Sequence, residues 1–177
     1  MIQDMLIYEF EGSYFLIQRG QQGKNPMPQT PYQQPSGNVK LFAKLPLSCS
    51  CEELGQTAVG ALDNFDTITP KYDPWEFKEL NKQLCEWLET RYFATITKNS
   101  RLVQLRREKN TIKIIPFDNH NKNPWYGPMT KEMDFKKDMF FTISNESSYE
   151  TIGKLIIDAF TISTYHPERK NSKNASG

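Results

Sequence analysis

Apolar and polar residues alternate near the start of the chain, and this pattern predicts a β-hairpin. Aromatic and β-branched residues dominate positions 5–18, and the turn signal Glu11-Gly12 divides them. Residues 20–37 repeat proline, glycine and glutamine, which predicts a mobile loop. Residues 38–47 alternate again, so a further strand is expected after the loop.

Three helices are predicted from apolar stripes at helical spacing. The first begins at the capping box of Ser50 and Glu53, and the second begins at Asp73. The third is capped by Ser147 or Ser148. The stripes are Leu54, Ala58, Ala61, Leu62 and Phe65; Phe77, Leu80, Leu84, Trp87 and Leu88; and Ile152, Leu155, Ile156, Ala159 and Phe160.

Between the second and third helices the pattern changes to an extended one. Segments 101–107 and 111–116 flank Lys109-Asn110, which predicts a second hairpin. A long polar loop follows, and residues 138–143 predict another strand. Residues 167–177 are charged and small, so we expect one domain over residues 1–166 and a disordered tail over 167–177.

The segment that begins the first helix resembles the segment that begins the third, at an offset of 98 residues. The offset pairs Ser50 with Ser148 and Gly55 with Gly153. Glycine costs ~1 kcal/mol against alanine inside a helix, so its presence in both copies predicts a close approach of helix to sheet. The predicted fold class is α/β, in the α+β sense: two β-rich halves, each closed by a helix, with the second helix crossing between them.

Charge and composition exclude several classes of protein. The 177 residues include 22 Lys+Arg and 21 Asp+Glu, a net charge of +1, which argues against a strongly basic nucleic-acid binder. No apolar run is long enough to span a membrane, and residues 1–20 do not have the pattern of a secretory signal. We therefore expect a cytoplasmic domain.

Cysteine and histidine are too few and too scattered to predict a metal site or a disulfide framework. Cys49, Cys51 and Cys85 form an odd set, and His120 and His166 are isolated from them. Two of the cysteines enter the first predicted helix and the third lies in the second. The chain also has no phosphate-binding loop and no recognised catalytic motif. We expect no metal, no cofactor and no enzymatic activity.

Three parts of the chain resemble one bacterial protein family. They are the run LPLSCSCEELG over residues 45–55, the segment IKIIP over residues 112–116, and the strand and helix over residues 139–160. This pattern resembles the contact-dependent growth inhibition (CDI) immunity proteins, the CdiI-like family, over roughly residues 38–162. The loop at residues 20–37 departs from the family pattern.

The resemblance implies a function and a fold. Family members bind the C-terminal toxin domain of a large surface protein, CdiA, encoded beside them. That toxin is often a nuclease, and binding protects the producing cell. The resemblance also implies two antiparallel sheets with helices, as in the Whirly fold, and it carries no catalytic residues.

A nuclease toxin binds phosphates with cationic side chains, so its inhibitor is expected to present carboxylates. Tight binding also calls for a few aromatic residues that become buried in the interface. The competing interpretation is that the helix glutamates form an ordinary solvated face and that Trp125 packs onto its own loop. The candidate toxin-binding residues are Glu76, Glu79, Glu86, Glu89, Trp125, Tyr126, Glu132, Asp134 and Asp138.

The alternative function is single-stranded nucleic-acid binding by the basic hairpin 101–113. Five cations lie on it, and Phe93 is nearby in sequence. The competing interpretation is a charged, solvated hairpin at a sheet edge. The cations are Arg101, Arg106, Arg107, Lys109 and Lys113.

Overall fold

The computed structural model describes the chain in five stretches. These are residues 2–19, 39–64, 77–119, 126–128 and 140–163. The predicted loop 20–37, the predicted cap Asp73 and the predicted tail 167–177 lie outside the described residues. The predicted domain boundary at residue 166 also lies outside them.

The described residues form seven strands and four helices. The strands are β1 (Ile2–Phe10), β2 (Ser13–Arg19), β3 (Val39–Pro46), β4 (Arg101–Glu108), β5 (Thr111–Asn119), β6 (Tyr126–Pro128) and β7 (Phe141–Ser144). The helices are α1 (Cys51–Asp63), α2 (Phe77–Trp87), α3 (Phe93–Asn99) and α4 (Tyr149–Ile162). Among the described helices, none has the length and apolar character needed to cross a membrane.

The turn and cap signals in the sequence place the ends of these elements well. The predicted turn at Glu11-Gly12 connects β1 to β2, and the backbone of Glu11 is left-handed there, with φ 46°. The Oγ of Ser50 accepts the backbone N–H of Glu53 at 3.0 Å, which confirms the predicted start of α1. The cap of α4 is Ser148, because its Oγ accepts the backbone N–H of Thr151 at 3.2 Å.

Two elements were not predicted from the sequence. Helix α3 has only seven residues, and its N-cap Tyr92 makes no side-chain capping bond. The sequence therefore contains neither a long apolar stripe nor a capping residue from which this helix could be predicted. Strand β6 has three residues and lies within the segment predicted as a polar loop. Both are held by tertiary packing or strand pairing rather than by a local signal.

One continuous antiparallel sheet contains all the described strands, in the order β3-β2-β1-β4-β5-β6. Strand β7 also pairs with β5, at residues 111–114, next to the pairing of β6 with residues 117–119. The expected two separate sheets are not found, because β1 pairs with β4 along its length. That pairing joins the two hairpins edge to edge.

A hydrophobic core lies on each side of this sheet, because successive strand residues point to opposite faces. The inner side is covered by α1 and α4, and the outer side by α2 and α3. The inner core includes Met5, Ile7, Leu16, Leu54, Leu62, Val103, Leu105, Ile112, Ile114, Ile152 and Ile156. The outer core includes Leu6, Tyr8, Phe10, Phe15, Ile17, Leu84, Leu88, Ile96 and Leu102.

The offset of 98 residues recurs in the pairing of the backbone. Ser13 faces Pro46 across β2 and β3, and Thr111 faces Ser144 across β5 and β7. Leu6 of β1 faces its own counterpart, Gln104, in β4. The turn hydrogen bonds repeat as well: Leu47 N–H to Gly12 O at 3.1 Å, and Asn145 N–H to Asn110 O at 2.8 Å.

The paired glycines are explained by a close crossing of α1 and α4. A Cβ on Gly55 would overlap the carbonyl oxygen of Tyr149, and a Cβ on Gly153 would overlap that of Cys51. A close approach was predicted correctly, but the predicted partner, the sheet, was wrong. The glycines bring helix against helix, and each meets the first residue of the opposite helix.

Candidate protein-binding surface

The candidate residues predicted from the sequence are only partly described. Glu86 and Glu89 lie exposed at the end of α2 and just beyond it. Glu79 belongs to α2 and Tyr126 begins β6, and for these two only the backbone is described. The remaining candidates lie outside the described residues: Glu76, Trp125, Glu132, Asp134 and Asp138. Of the predicted set, the structure thus describes the side chains of Glu86 and Glu89.

Glu89 lies in a mixed rather than an acidic environment. Its backbone is left-handed, with φ 55°, where the chain leaves α2. Its carboxylate accepts a hydrogen bond of 2.8 Å from the Nζ of Lys44, and both side chains are exposed. An exposed ion pair contributes only ~0–1 kcal/mol, so either partner can exchange it for another charge.

Next to Glu89, the connection between α2 and α3 carries an exposed aromatic residue. Tyr92 is 58% exposed, and the guanidinium of Arg91 lies 5.1 Å from its ring centroid. Tyrosine and arginine are common in the energetic centres of protein interfaces. Sequence analysis missed this pair, because neither residue belongs to an apolar stripe and α3 was not predicted.

The basic hairpin does not present all of its cations on one face of the sheet. Arg107 is 7% exposed, and its Nη2 lies 2.7 Å from Asp63 Oδ1 at the end of α1. Its Nη1 donates to Asn145 Oδ1 at 3.2 Å, and its Nε donates to Gln3 Oε1. Arg107 therefore connects β1, α1 and the turn after β7, and it is not available to a nucleic acid.

The position of β4 also contradicts the interpretation of this hairpin as a sheet edge. Strand β4 lies between β1 and β5, in the middle of the sheet. Arg106 approaches buried Asp4 to 4.0 Å, and Asp4 accepts two hydrogen bonds from Gln104, at 2.8 and 2.9 Å. Side chains that were expected to be solvated are thus drawn into a polar network in the sheet.

Lys113 of the basic hairpin lies on the outer side of the sheet. It is exposed, and its Nζ lies 5.3 Å from the ring centroid of Phe140. Phe140 is itself 49% exposed. This cation and ring form a second exposed pair of the kind made by Arg91 and Tyr92.

The titratable side chains with resolved shifts are held in their neutral forms. Burial raises the pKa of the Cys49 and Cys85 thiols, so both stay protonated at neutral pH. Burial, with the nearby Glu9 carboxylate, raises the pKa of Tyr14 to about 12. Over the described stretches, no three His, Cys, Asp or Glu side chains are grouped to hold a metal ion. These features belong to a packed core and give no activated nucleophile.

Two solved structures share this architecture. A protein of unknown function from Neisseria meningitidis is 19% identical, with a TM-score of 0.62, covering 93% of this chain and 96% of that chain. A chain of the CdiA-CT/CdiI toxin and immunity complex from Yersinia pseudotuberculosis is 13% identical, with a TM-score of 0.63. That match covers 93% of this chain and 98% of that chain. At these identities the likeness establishes a common fold.

The sequence itself matches one family. No curated protein matches the chain. The family described as CDI immunity protein, CdiI, matches residues 13–163, from the start of β2 to the residue after α4. Since this match spans most of the chain, including both glycines of the helix crossing, the chain belongs to the CdiI family of CDI immunity proteins.

Proposed function

We propose that this chain binds and neutralises the C-terminal toxin domain of a cognate CdiA protein and so protects the cell that produces both. The observation that carries the proposal is the family match over residues 13–163. The Yersinia structure supports it, because a chain with the same fold occurs there in a CdiA-CT/CdiI toxin and immunity complex.

The proposed mode of action is stoichiometric inhibition without catalysis, in the cytoplasm. Inhibition of this kind requires exposed anchors and complementary charge on a preformed scaffold. Tyr92 and Phe140 supply exposed aromatic rings, each beside a cation. The proposed toxin is a nuclease, for which Glu86, Glu89 and the remaining predicted carboxylates would provide complementary charge.

The proposal extends to the architecture. The recurring register at an offset of 98 residues supports two halves, β1-β2-β3-α1 and β4-β5-β7-α4, arranged as in a Whirly fold. Helices α2 and α3 connect them. We place both halves in one domain over residues 1–166, followed by a tail.

Protection and complex formation test the function directly. The C-terminal domain of the CdiA protein encoded beside this chain is expressed in cells with and without the chain, and growth is followed. We expect growth arrest by the toxin domain alone, rescue by co-expression, and a one-to-one complex in size-exclusion chromatography. A toxic domain that this chain neither rescues nor binds would contradict the proposal.

A second experiment tests whether inhibition is stoichiometric rather than catalytic. Purified chain is titrated into the toxin's nuclease assay. Inhibition should be complete near one equivalent, and the toxin should recover its activity after the complex is denatured and the toxin refolded alone. Inhibition at catalytic amounts, or permanent modification of the toxin, would indicate an enzyme instead.

A further inference from the structure

Two cations lie side by side on the outer side of the sheet. Arg106 of β4 faces Lys113 of β5 directly, so their side chains emerge on the same side. Like charges in directly opposite positions destabilise a strand pair. A bound anion would reduce the repulsion between these two charges.

The nearby carboxylate of Asp4 balances only part of this charge. Asp4 is 3% exposed and accepts both hydrogen bonds of Gln104 Nε2, and its Oδ2 is 4.0 Å from Arg106 Nη2. The Nε of Arg106 is buried and has no hydrogen-bond partner in the described part of the chain. The Arg106 side chain as a whole is nevertheless 25% exposed, so it can be approached from the surface.

The surface beside these cations is open. Lys113 faces Thr142 of β7, and both are exposed, while Phe140 is 49% exposed beneath the Lys113 ammonium. A lysine held over an aromatic ring keeps its charge near an apolar platform. We call the outer side of β4, β5 and β7, formed by Arg106, Lys113, Phe140 and Thr142, the open face.

We propose that the open face binds a carboxylate-bearing segment of the toxin domain. An Asp or Glu of the toxin would pair with Lys113 and Arg106, and the apolar part of the same segment would pack on Phe140. This inference rests on the proposed function and assigns part of its interface. It differs from the acidic surface predicted from the sequence, since the chain here supplies the cations.

A toxin carboxylate suits the open face better than the phosphates of a nucleic acid. A single strand needs a row of exposed cations along its backbone. The described hairpin does not form such a row, because Arg107 is buried on the other side of the sheet against Asp63. Two adjacent cations, of which Lys113 also lies over the Phe140 ring, match a single carboxylate.

Charge reversal at Lys113 is the main test, with Lys154 as its matched control. Lys154 is an exposed lysine of α4, on the opposite side of the sheet. Association and dissociation of the purified toxin domain are measured for the wild type, Lys113→Glu, Phe140→Ala and Lys154→Glu. At low salt we expect the dissociation constant to rise ~100-fold for Lys113→Glu and ~10-fold for Phe140→Ala, and Lys154→Glu to bind as the wild type does.

The outcomes separate this inference from the function itself. If the wild type binds the toxin and Lys113→Glu binds equally well, or no worse than Lys154→Glu, the open face is excluded from the interface while the function stands. If the wild type does not bind, the function fails first. Binding of single-stranded DNA or RNA by the wild type, lost in Lys113→Glu while toxin binding persists, would overturn the carboxylate assignment. Rescue of Lys113→Glu by an Asp→Lys or Glu→Lys change in the toxin would establish the contact.

Discussion

The described parts of residues 2–64 and of residues 101–163 pair their strands in corresponding registers but differ on the outer side of the sheet. On the inner side the correspondence is close. Tyr14 faces Leu45 as Ile112 faces Ile143, and each strand pair continues into a helix that contributes one glycine to the crossing. Both regions thus share one core beneath α1 and α4.

On the outer side the two regions differ in composition. In the first region Phe15 is 2% exposed, beneath Lys44 and among the side chains of α2 and α3. Its counterpart at the offset of 98 is Lys113, which is exposed. Likewise Tyr8 corresponds to Arg106, so apolar positions in one region are cationic in the other.

This difference shows which features the framework determines. Backbone pairing and the inner core require matching positions in both regions, because each helix must reach the other at its glycine. The outer side has no such requirement. Helices cover it over the first region and over Leu102 of the second, whereas the second region also carries the cations Arg106 and Lys113 there.

The largest predicted effect concerns the glycine crossing, where the two regions should respond alike. Gly55→Ala and Gly153→Ala each place a Cβ against a backbone carbonyl, which cannot move without separating α1 from α4. We expect each to lower the free energy of unfolding by about 3 kcal/mol, measured by urea denaturation.

Gly60→Ala is the matched control for that prediction. It lies in the same helix, but its Cβ would meet only the ring of Phe42, at 3.6 Å, an ordinary contact. Since alanine is favoured over glycine in a helix, we expect a neutral or stabilising effect of up to ~1 kcal/mol. A loss at Gly55 no larger than at Gly60 would show that the crossing can relax.

The second prediction uses Tyr14, whose counterpart Ile112 cannot ionise. Tyr14 titrates near 10 when unfolded and at about 12 when folded. The unfolded chain therefore loses its proton first, and stability falls as the pH rises from 10 to 12. The loss of unfolding free energy is roughly 2–3 kcal/mol for a pKa difference of about two units.

Tyr14→Phe isolates this contribution. Other tyrosines and lysines titrate in both proteins, so the relevant quantity is the difference between their free energies of unfolding at each pH. The difference should be constant below pH 9 and should move in favour of Tyr14→Phe above pH 10. Parallel curves over the whole range would mean that burial does not shift the Tyr14 pKa.

Much of the fold could be predicted from the sequence, because its signals are local. The cap at Ser50 and the turn at Glu11-Gly12 are short patterns whose geometry does not depend on distant residues. The partner of the glycines could not be predicted, because sequence spacing does not show whether a helix or a sheet lies opposite. Helix α3 was missed because it is stabilised by tertiary packing of Ile96 against the outer side of the sheet, which no local sequence pattern shows.

The candidate site was less predictable for the same reason. Charge counting treated Arg107 and Lys113 alike, yet one is buried in a network and the other is exposed over a ring. Which face a strand residue takes depends on register, and whether that face is covered depends on elements far along the chain. The pairing of Arg106 with Lys113 was visible in principle, since both flank the predicted turn at equal distances.

The smallest predicted effect concerns the two hairpin turns. Glu11 and Lys109 correspond at the offset of 98, both are exposed, and both have a left-handed backbone, with φ 46° and 54°. Glu11→Asn creates Asn-Gly, and Lys109→Gly removes the Cβ from the strained position. Each should raise the free energy of unfolding by about 0.5 kcal/mol, whereas Lys109→Ala, which keeps the Cβ, should not. If Lys109→Ala stabilised the protein as much as Lys109→Gly, loss of the lysine charge rather than relief of the backbone would explain the gain.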